Sequence, residues 1–364
     1  MRVALVLEQC LAPVPGGTGR YSRELARALA VADADSVSAW TAWHADVSAA
    51  RVPGVRGPRR LPLPRRPLIA AWERGIGPAP READVVHAPT LLLPPRRGRP
   101  LVVTIHDAVP WTHPETLTPR GVRFHRRMAA RAAAEADLVV VPTDAVRREL
   151  EPILDLAGRI EVVGEGVAPE LAVPPDADAR ARRLGLPPRY VVSLATLEPR
   201  KGLNVLVAAM AAPEAPRLPL VVAGQPGWGG VDLPAAAAAA GLPADRLLLT
   251  GRLGDADLAV VLGRASALVV PSRAEGFGLP VLEGMALGTP VVVSDAPALV
   301  EVAGGAAAVV PVGDVAALTS ALAAVTGDEA QRTRLVAAGR VRARQFSWAR
   351  AAETLWSHYR RLGA

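Results

Sequence analysis

The chain has 364 residues, 50% of them hydrophobic, enough apolar material for two α/β units of roughly 150–200 residues each and too much for a disordered or fibrous chain. Its 42 basic and 35 acidic residues leave a net charge of +7; the single cysteine, Cys10, cannot form an internal disulfide, and no Cys/His cluster has zinc spacing. No apolar run is long enough to span a membrane and the opening MRVALVLEQC is too short for a signal peptide, so a reducing, cytoplasmic setting is expected.

Short β-branched runs alternate with Ala/Leu/Arg-rich helical stretches from end to end, the pattern of parallel sheets covered by helices. In the first half, strands are predicted at 2–7, 37–43, 84–88, 101–106 and 138–142, and helices at 18–31, 121–135 and 144–151. Between the first strand and the first helix lies Pro15-Gly16-Gly17-Thr18-Gly19-Arg20-Tyr21. It is not the full G-x-G-x-x-G, and reads either as a tight turn or as a backbone loop for phosphate. Residues 51–131 hold 16 arginines against five acids (Glu73, Glu82, Asp84, Asp107, Glu115). This surplus is either a solvated face or a surface for anionic partners, such as the inner membrane surface, and residues 52–80 within it give no structural reading. The strand at 101–106 runs into Thr104-Ile105-His106-Asp107. A histidine at the carboxyl end of a parallel strand lies at the ligand crevice, whereas His44, His87, His113, His125 and His358 read as structural. Glu8 and Asp295 show no identifiable partner in the sequence.

From Ile160 to Pro188 the composition turns proline- and acid-rich, which places a domain boundary there and predicts domains at 1–175 and 176–345 with a tail at 346–364. Strands resume at 190–195, 218–223, 246–250, 267–271, 290–294 and 307–311. After the first of these comes Ala195-Thr196-Leu197-Glu198-Pro199-Arg200-Lys201-Gly202, which holds the only lysine of the chain. Two adjacent cations suit a diphosphate leaving group, Arg200 as a planar fork and Lys201 as a point charge; the other reading is a solvated turn. Thr250-Gly251-Arg252-Leu253 ends a later strand, where Arg252 reads either as a donor contact or as a surface charge. Next, PSRAEGFGLPVLEGMA at 271–286 runs from an apolar strand through a glycine loop into a helix. Its glycines allow close backbone approach, the N–H groups that open the helix near Leu279 favour an anion, and Glu275 and Glu283, eight apart, make two separate contacts along an extended ligand. The tail at 347–362 reads as a helix with Trp348, Leu355, Trp356 and Tyr359 on one side.

The stretch at 271–286 resembles the Glu-x7-Glu signature of retaining GT-B glycosyltransferases of family 4, and the glycine loop, the His-Asp pair and the Arg-Lys loop stand in that family's order. The resemblance implies two facing Rossmann-like domains, the donor held mostly by the second, and a C-terminal helix returning to the first. It implies catalytic roles for His106, Lys201 and Glu275. Donor contacts would come from Gly16, Gly17, Arg200, Lys201, Arg252 and the backbone of Gly276, Phe277, Gly278 and Leu279, with Glu283 on the ribose. Many members carry an arginine where this chain has Ala195-Thr196, a departure that makes Lys201 the firmer of the two cation assignments.

The implied reaction moves a hexose from a nucleoside diphosphate sugar to a sugar, lipid-linked glycan or small-molecule acceptor, with retention and without a cofactor. The pattern most resembles bacterial mannosyltransferases using GDP-mannose, with a UDP-hexose as the nearest alternative. Nothing visible in the sequence requires a metal to hold the diphosphate. A sugar-nucleotide epimerase and a non-catalytic sugar-nucleotide binder are rival readings. Nucleic acid is not an expected partner, because three Phe and three Tyr cannot build an aromatic platform for RNA.

Overall fold

The computed structural model describes residues 1–363, so the last residue of the expected tail, Ala364, lies outside the described residues. The chain divides into two compact units. The first contains β1 (Val3–Val6), α1 (Gly16–Ala32), β2 (Val37–Trp43), β3 (Arg56–Pro64), α2 (Arg65–Trp72), β4 (Val85–Ala88), β5 (Leu101–Thr104), α3 (Val109–Thr112), α4 (Pro119–Glu135), β6 (Leu138–Val141), α5 (Asp144–Leu150) and β7 (Ile160–Val162). The second contains α6 (Ala177–Arg183), β8 (Val191–Leu194), α7 (Leu203–Ala211), β9 (Leu220–Ala223), α8 (Leu233–Ala240), β10 (Leu247–Gly251), α9 (Asp255–Gly263), β11 (Ala267–Val270), α10 (Leu279–Leu287), β12 (Val291–Ser294), α11 (Pro297–Ala303), β13 (Ala308–Val310), α12 (Val315–Gly327) and α13 (Glu329–Ala343). The last helix, α14 (Trp348–Leu362), belongs to the first unit again.

Each unit is a parallel sheet in the doubly wound order: β3-β2-β1-β4-β5-β6-β7 in the first and β10-β9-β8-β11-β12-β13 in the second. The central strands are fully buried runs such as Leu-Val-Val-Thr in β5 and Ala-Leu-Val-Val in β11, as expected where helices cover both faces. In both sheets the chain winds outward one way, returns to the centre and winds the other way. The carboxyl ends of β1 and β4, and of β8 and β11, therefore flank the switch points where such sheets hold ligands.

Residues 52–80, without a reading in the sequence, contain the edge strand β3 and helix α2. The segment Arg-Gly-Pro-Arg-Arg-Leu-Pro-Leu-Pro buries only Leu61 and pairs with β2 alone. An edge strand tolerates prolines because its outer side needs no N–H donors. The change of unit falls between Glu165 and Gly166, ten residues before the expected boundary at 175. The intervening proline-rich segment packs on the second unit, where Val173 lies against Gly263 and Leu171 is buried.

Helix α14 buries Trp348, Ala351, Ala352, Leu355, Trp356 and Tyr359 as one apolar face, mainly against α1, and the Trp356 indole N–H donates to the Leu29 carbonyl at 3.1 Å. No helix among the described residues is long and apolar enough to cross a membrane.

Candidate active site

At the switch point of the second sheet, the loops that follow β8 and β11 lie against each other. Gly202, with φ of +64°, takes the left-handed conformation that closes the β8 loop and starts α7. A Cβ there would sit 2.1 Å from the Pro271 carbonyl oxygen, so only glycine lets the two backbones meet. The Arg273 N–H donates to the Arg200 carbonyl at 2.8 Å, a second tie between the loops. Gly202→Ala should therefore push the loops apart, costing about 1–3 kcal/mol of backbone strain or more, read as a lowered Tm together with lost nucleotide binding.

This contact brings Lys201 to Glu275. Lys201 Nζ donates to Glu275 Oε1 at 2.6 Å, and Ser272 Oγ donates to the same oxygen at 2.7 Å. Arg200 Nη1 donates to Glu275 Oε2 at 2.9 Å and to the Ala274 carbonyl at 2.9 Å, while Nη2 donates to Glu198 Oε1 at 2.8 Å. All four charged side chains are largely buried, and the two carboxylates balance the two cations. Burial alone would push the Glu275 carboxyl up; Lys201, then Arg200, and the hydrogen bonds from Lys201 and Ser272 outweigh it and bring it down to about 2. Burial is the larger influence at Glu198, and its carboxyl is raised although Arg200 and Lys201 oppose the change. The result is a desolvated pair of cations whose charge is taken up by protein carboxylates.

Downstream, Gly278 caps α10 in the left-handed region (φ +95°), and the helix opens at Leu279 as the motif predicts. Glu275 lies in the loop and Glu283, 1% exposed, on the helix, so the two acids occupy different elements. Phe277 is 4% exposed and packs edge-on against Phe346 with ring centroids 5.6 Å apart, which makes its ring part of the core and leaves only its backbone for a ligand. Arg252 is exposed after the edge strand β10 and makes no hydrogen bond or ion pair among the described residues. The structure thus groups Arg200, Lys201, Glu275 and the start of α10, and sets Arg252 just past the end of the outermost strand.

In the first unit, Gly16 and Gly17 open α1 directly. Gly16 has φ of +60°, a backbone reason for glycine. Gly17 has none, and a Cβ there would meet nothing within 4 Å, so its missing side chain leaves the amide end of α1 open.

His106 follows β5. Its Nε2 lies 2.8 Å from the Pro89 carbonyl, an oxygen that only accepts, so Nε2 carries the proton and Nδ1 presents a lone pair. Burial lowers the His106 pKa, against the opposing influence of the Pro89 hydrogen bond and of Asp107. The ring is therefore a neutral acceptor near pH 7. Its edge partner is Tyr21, at 4.6 Å and 87°.

Behind His106 runs a buried polar chain. Tyr21 OH meets Thr104 Oγ1 at 3.2 Å, Thr104 Oγ1 meets His87 Nε2 at 2.9 Å, and His87 Nδ1 meets Tyr359 OH at 2.5 Å. Burial brings His87 down to about 3, so it is a neutral link, in keeping with a structural histidine. The returning helix α14 thereby braces the strand end that carries His106.

Several of these positions are not assigned by sequence reasoning. Glu198 and Ser272 sit inside the two motifs, and each meets a partner on its own loop: Glu198 accepts from Arg200, and Ser272 donates to Glu275. Glu8 and Asp295 do have partners: Asp295 Oδ1 accepts from the Val312 N–H at 2.8 Å, and Glu8 accepts from Ala42, His44 and Arg65. Glu8 lies two residues after the first strand, and that position at a crevice is the one signal the sequence offered.

The sequence model described as Glycosyltransferase Family 4 matches residues 15–171, and that of Glycosyl transferases group 1 matches residues 159–342. The chain is 30% identical to an O-antigen chain mannosyltransferase B of Escherichia coli, with 96% of each chain covered. It is 36% identical to a D-inositol 3-phosphate glycosyltransferase of Stackebrandtia nassauensis over 62% of this chain and 54% of that one. Among solved structures, Anabaena Alr3699/HepE in complex with UDP and glucose superposes with a TM-score of 0.80 at 19% identity over the full length of both chains.

Proposed function

The chain belongs to glycosyltransferase family 4, and on that premise we propose that it moves a hexose, first of all mannose from GDP-mannose, from a nucleoside diphosphate sugar to an acceptor with retention of configuration. The observation that carries this reading is the meeting of Lys201, Arg200 and Glu275 beside the amide end of α10, at the switch point of the second sheet. Such a place offers a diphosphate two cations and a helix amino terminus at once.

In the proposed step, the bond between the anomeric carbon and the diphosphate oxygen breaks while the acceptor oxygen bonds to that carbon on the same face. The acceptor proton passes to the departing phosphate. Charge grows on the diphosphate, where Lys201 and Arg200 neutralise it, so the step requires no resident metal or cofactor. His106, a neutral acceptor with an available lone pair, receives a sugar hydroxyl; Glu275 orients the sugar; Glu283 takes the ribose hydroxyls.

Thermal shift with GDP-mannose and UDP-glucose, followed by product analysis with and without acceptor, tests this reading. A donor at a hundredfold excess over its Kd adds about 2.7 kcal/mol of stability. GDP-mannose is expected to raise Tm; a response to UDP-glucose alone would replace the donor, and response to neither would refute the reading. Consumption of donor with no acceptor, yielding an isomeric nucleotide sugar, would instead mark an epimerase.

Glu283→Ala removes a charge-assisted contact to the ribose and should weaken nucleoside diphosphate binding roughly 10- to 100-fold. Calorimetric titration decides; unchanged affinity rules out the ribose role.

The arginines of the first unit suggest a further contact, with the membrane surface. Arg66, Arg120 and Arg123 are exposed without acidic partners among the described residues, whereas Arg59 and Arg96 are paired to Glu82 and Asp137. Cosedimentation with anionic but not neutral vesicles, lost at high salt, is the expected result.

A further inference from the structure

The sheet of the first unit carries a second convergence of charged side chains, at the carboxyl ends of its three strands on the other side of the switch point. Arg65 follows β3, His44 follows β2 and Glu8 lies two residues after β1, so neighbouring strands each deliver one group. Glu8 is 0% exposed. Its Oε2 accepts the Ala42 N–H at 2.7 Å, its Oε1 lies 2.9 Å from His44 Nε2, and Arg65 Nη1 donates at 2.8 Å both to Oε1 and to the Glu8 carbonyl.

Glu8 takes one nitrogen from each partner and leaves the others unused. Among the described residues, His44 Nδ1 and Arg65 Nη2 and Nε have no partner, and these side chains keep 22% and 25% of their surface exposed. Nε2 faces a carboxylate and so carries a proton, which leaves Nδ1 for a ligand on a side chain that shares Glu8 Oε1 with Arg65. A hydroxyl both donates and accepts, and two neighbouring hydroxyls match such a pair. An anion fits less well, because Glu8 already neutralises Arg65.

Burying a carboxylate is unfavourable, and a neutral acceptor at position 8 would satisfy the buried Ala42 N–H; the charge of Glu8 is matched instead to Arg65. Trp43, the residue before His44 and the register partner of Pro64, is 54% exposed and adds an aromatic ring at the same strand end.

We infer that the carboxyl ends of β1, β2 and β3 form a polyol subsite in which Arg65 and His44, held by the buried Glu8, bind two adjacent hydroxyls of the acceptor. The assignment of that polyol as the acceptor rests on the transferase reading above. Saturation-transfer NMR on the full chain, with methyl α-D-mannopyranoside and with myo-inositol as probes, tests the subsite, and the two probes separate a sugar ring from an inositol ring. Binding of at least one is expected. His44→Ala and Arg65→Met should each weaken it about tenfold, the loss of one hydrogen bond to a ligand hydroxyl.

The GDP-induced rise in Tm reads the second unit and should stay at its wild-type value in both variants. Failure of both polyols to bind, wild-type binding by the variants, or displacement of the polyol by inorganic phosphate at equal concentration overturns the subsite. If Arg65→Met does not fold, His44→Ala decides alone, since it leaves the Arg65–Glu8 pair in place. Loss of the nucleotide response in the wild-type chain is a separate result, which sinks the transferase reading and leaves the polyol titration standing.

Discussion

Lys201→Ala is expected to lower turnover by two to three orders of magnitude, about 2.7–4 kcal/mol of lost charge stabilisation on the departing diphosphate. The ammonium suits that role as a compact point charge. It is 18% exposed, fixed 2.6 Å from Glu275, and held at a loop whose position Gly202 sets. Lys201→Arg keeps the charge but not the compact geometry, and should recover only part of the rate. A loss of fold could imitate the result, and pH separates the two. In the wild type, Glu275 is held down to about 2, below the unfolded carboxylate value of about 4.3. A depressed carboxyl contributes stability that is full above the unfolded value and is lost as pH falls through the folded one. The stability gap between wild type and Lys201→Ala should therefore be widest at neutral pH and narrow from about pH 4.3 toward about 2. Turnover, measured at neutral pH on protein shown to be folded, near wild-type level would remove Lys201 from the chemistry.

The parallel strands were legible because they are apolar β-branched runs buried on both faces, and α14 because Trp348, Leu355, Trp356 and Tyr359 fall on one helical side. Strand β3 was not, since its arginines and prolines carry no alternation and an edge position forgives them. For the site, each motif could be placed at a strand end, but the joining of motifs could not be read. Lys201 and Glu275 are 74 residues apart, and only the insertion of β11 beside β8 makes their loops neighbours. Glu8 meets His44 and Arg65 across 36 and 57 residues for the same reason. Strand order, a long-range property, decides both clusters, and local periodicity does not encode it. The brace behind His106 was hidden likewise: Tyr359 reaches His87 across 272 residues.

Glu275→Gln should have the second large effect, and its direction differs between binding and rate. In the wild type, Glu275 holds Lys201 and Arg200, and on the proposed reading an entering donor must draw both cations away from a carboxylate. The amide keeps the side-chain shape and can still accept from Ser272, but it no longer neutralises the cations. Breaking a buried ion pair from one side typically costs 3–5 kcal/mol, roughly the loss of stability expected without ligand and read as a lowered Tm. Nucleoside diphosphate then restores the missing negative charge, so it should bind the variant roughly tenfold or more tightly than the wild type and raise its Tm by a larger step. Transfer should nonetheless fall by about a hundredfold or more, because the carboxylate proposed to orient the sugar is gone. Calorimetry with GDP and UDP, set beside the transfer assay, reads both effects on one preparation. Weaker or equal nucleotide affinity in Glu275→Gln would mean that the diphosphate and Glu275 do not share Lys201 and Arg200, and the cation pair would have to be assigned to holding the two loops together.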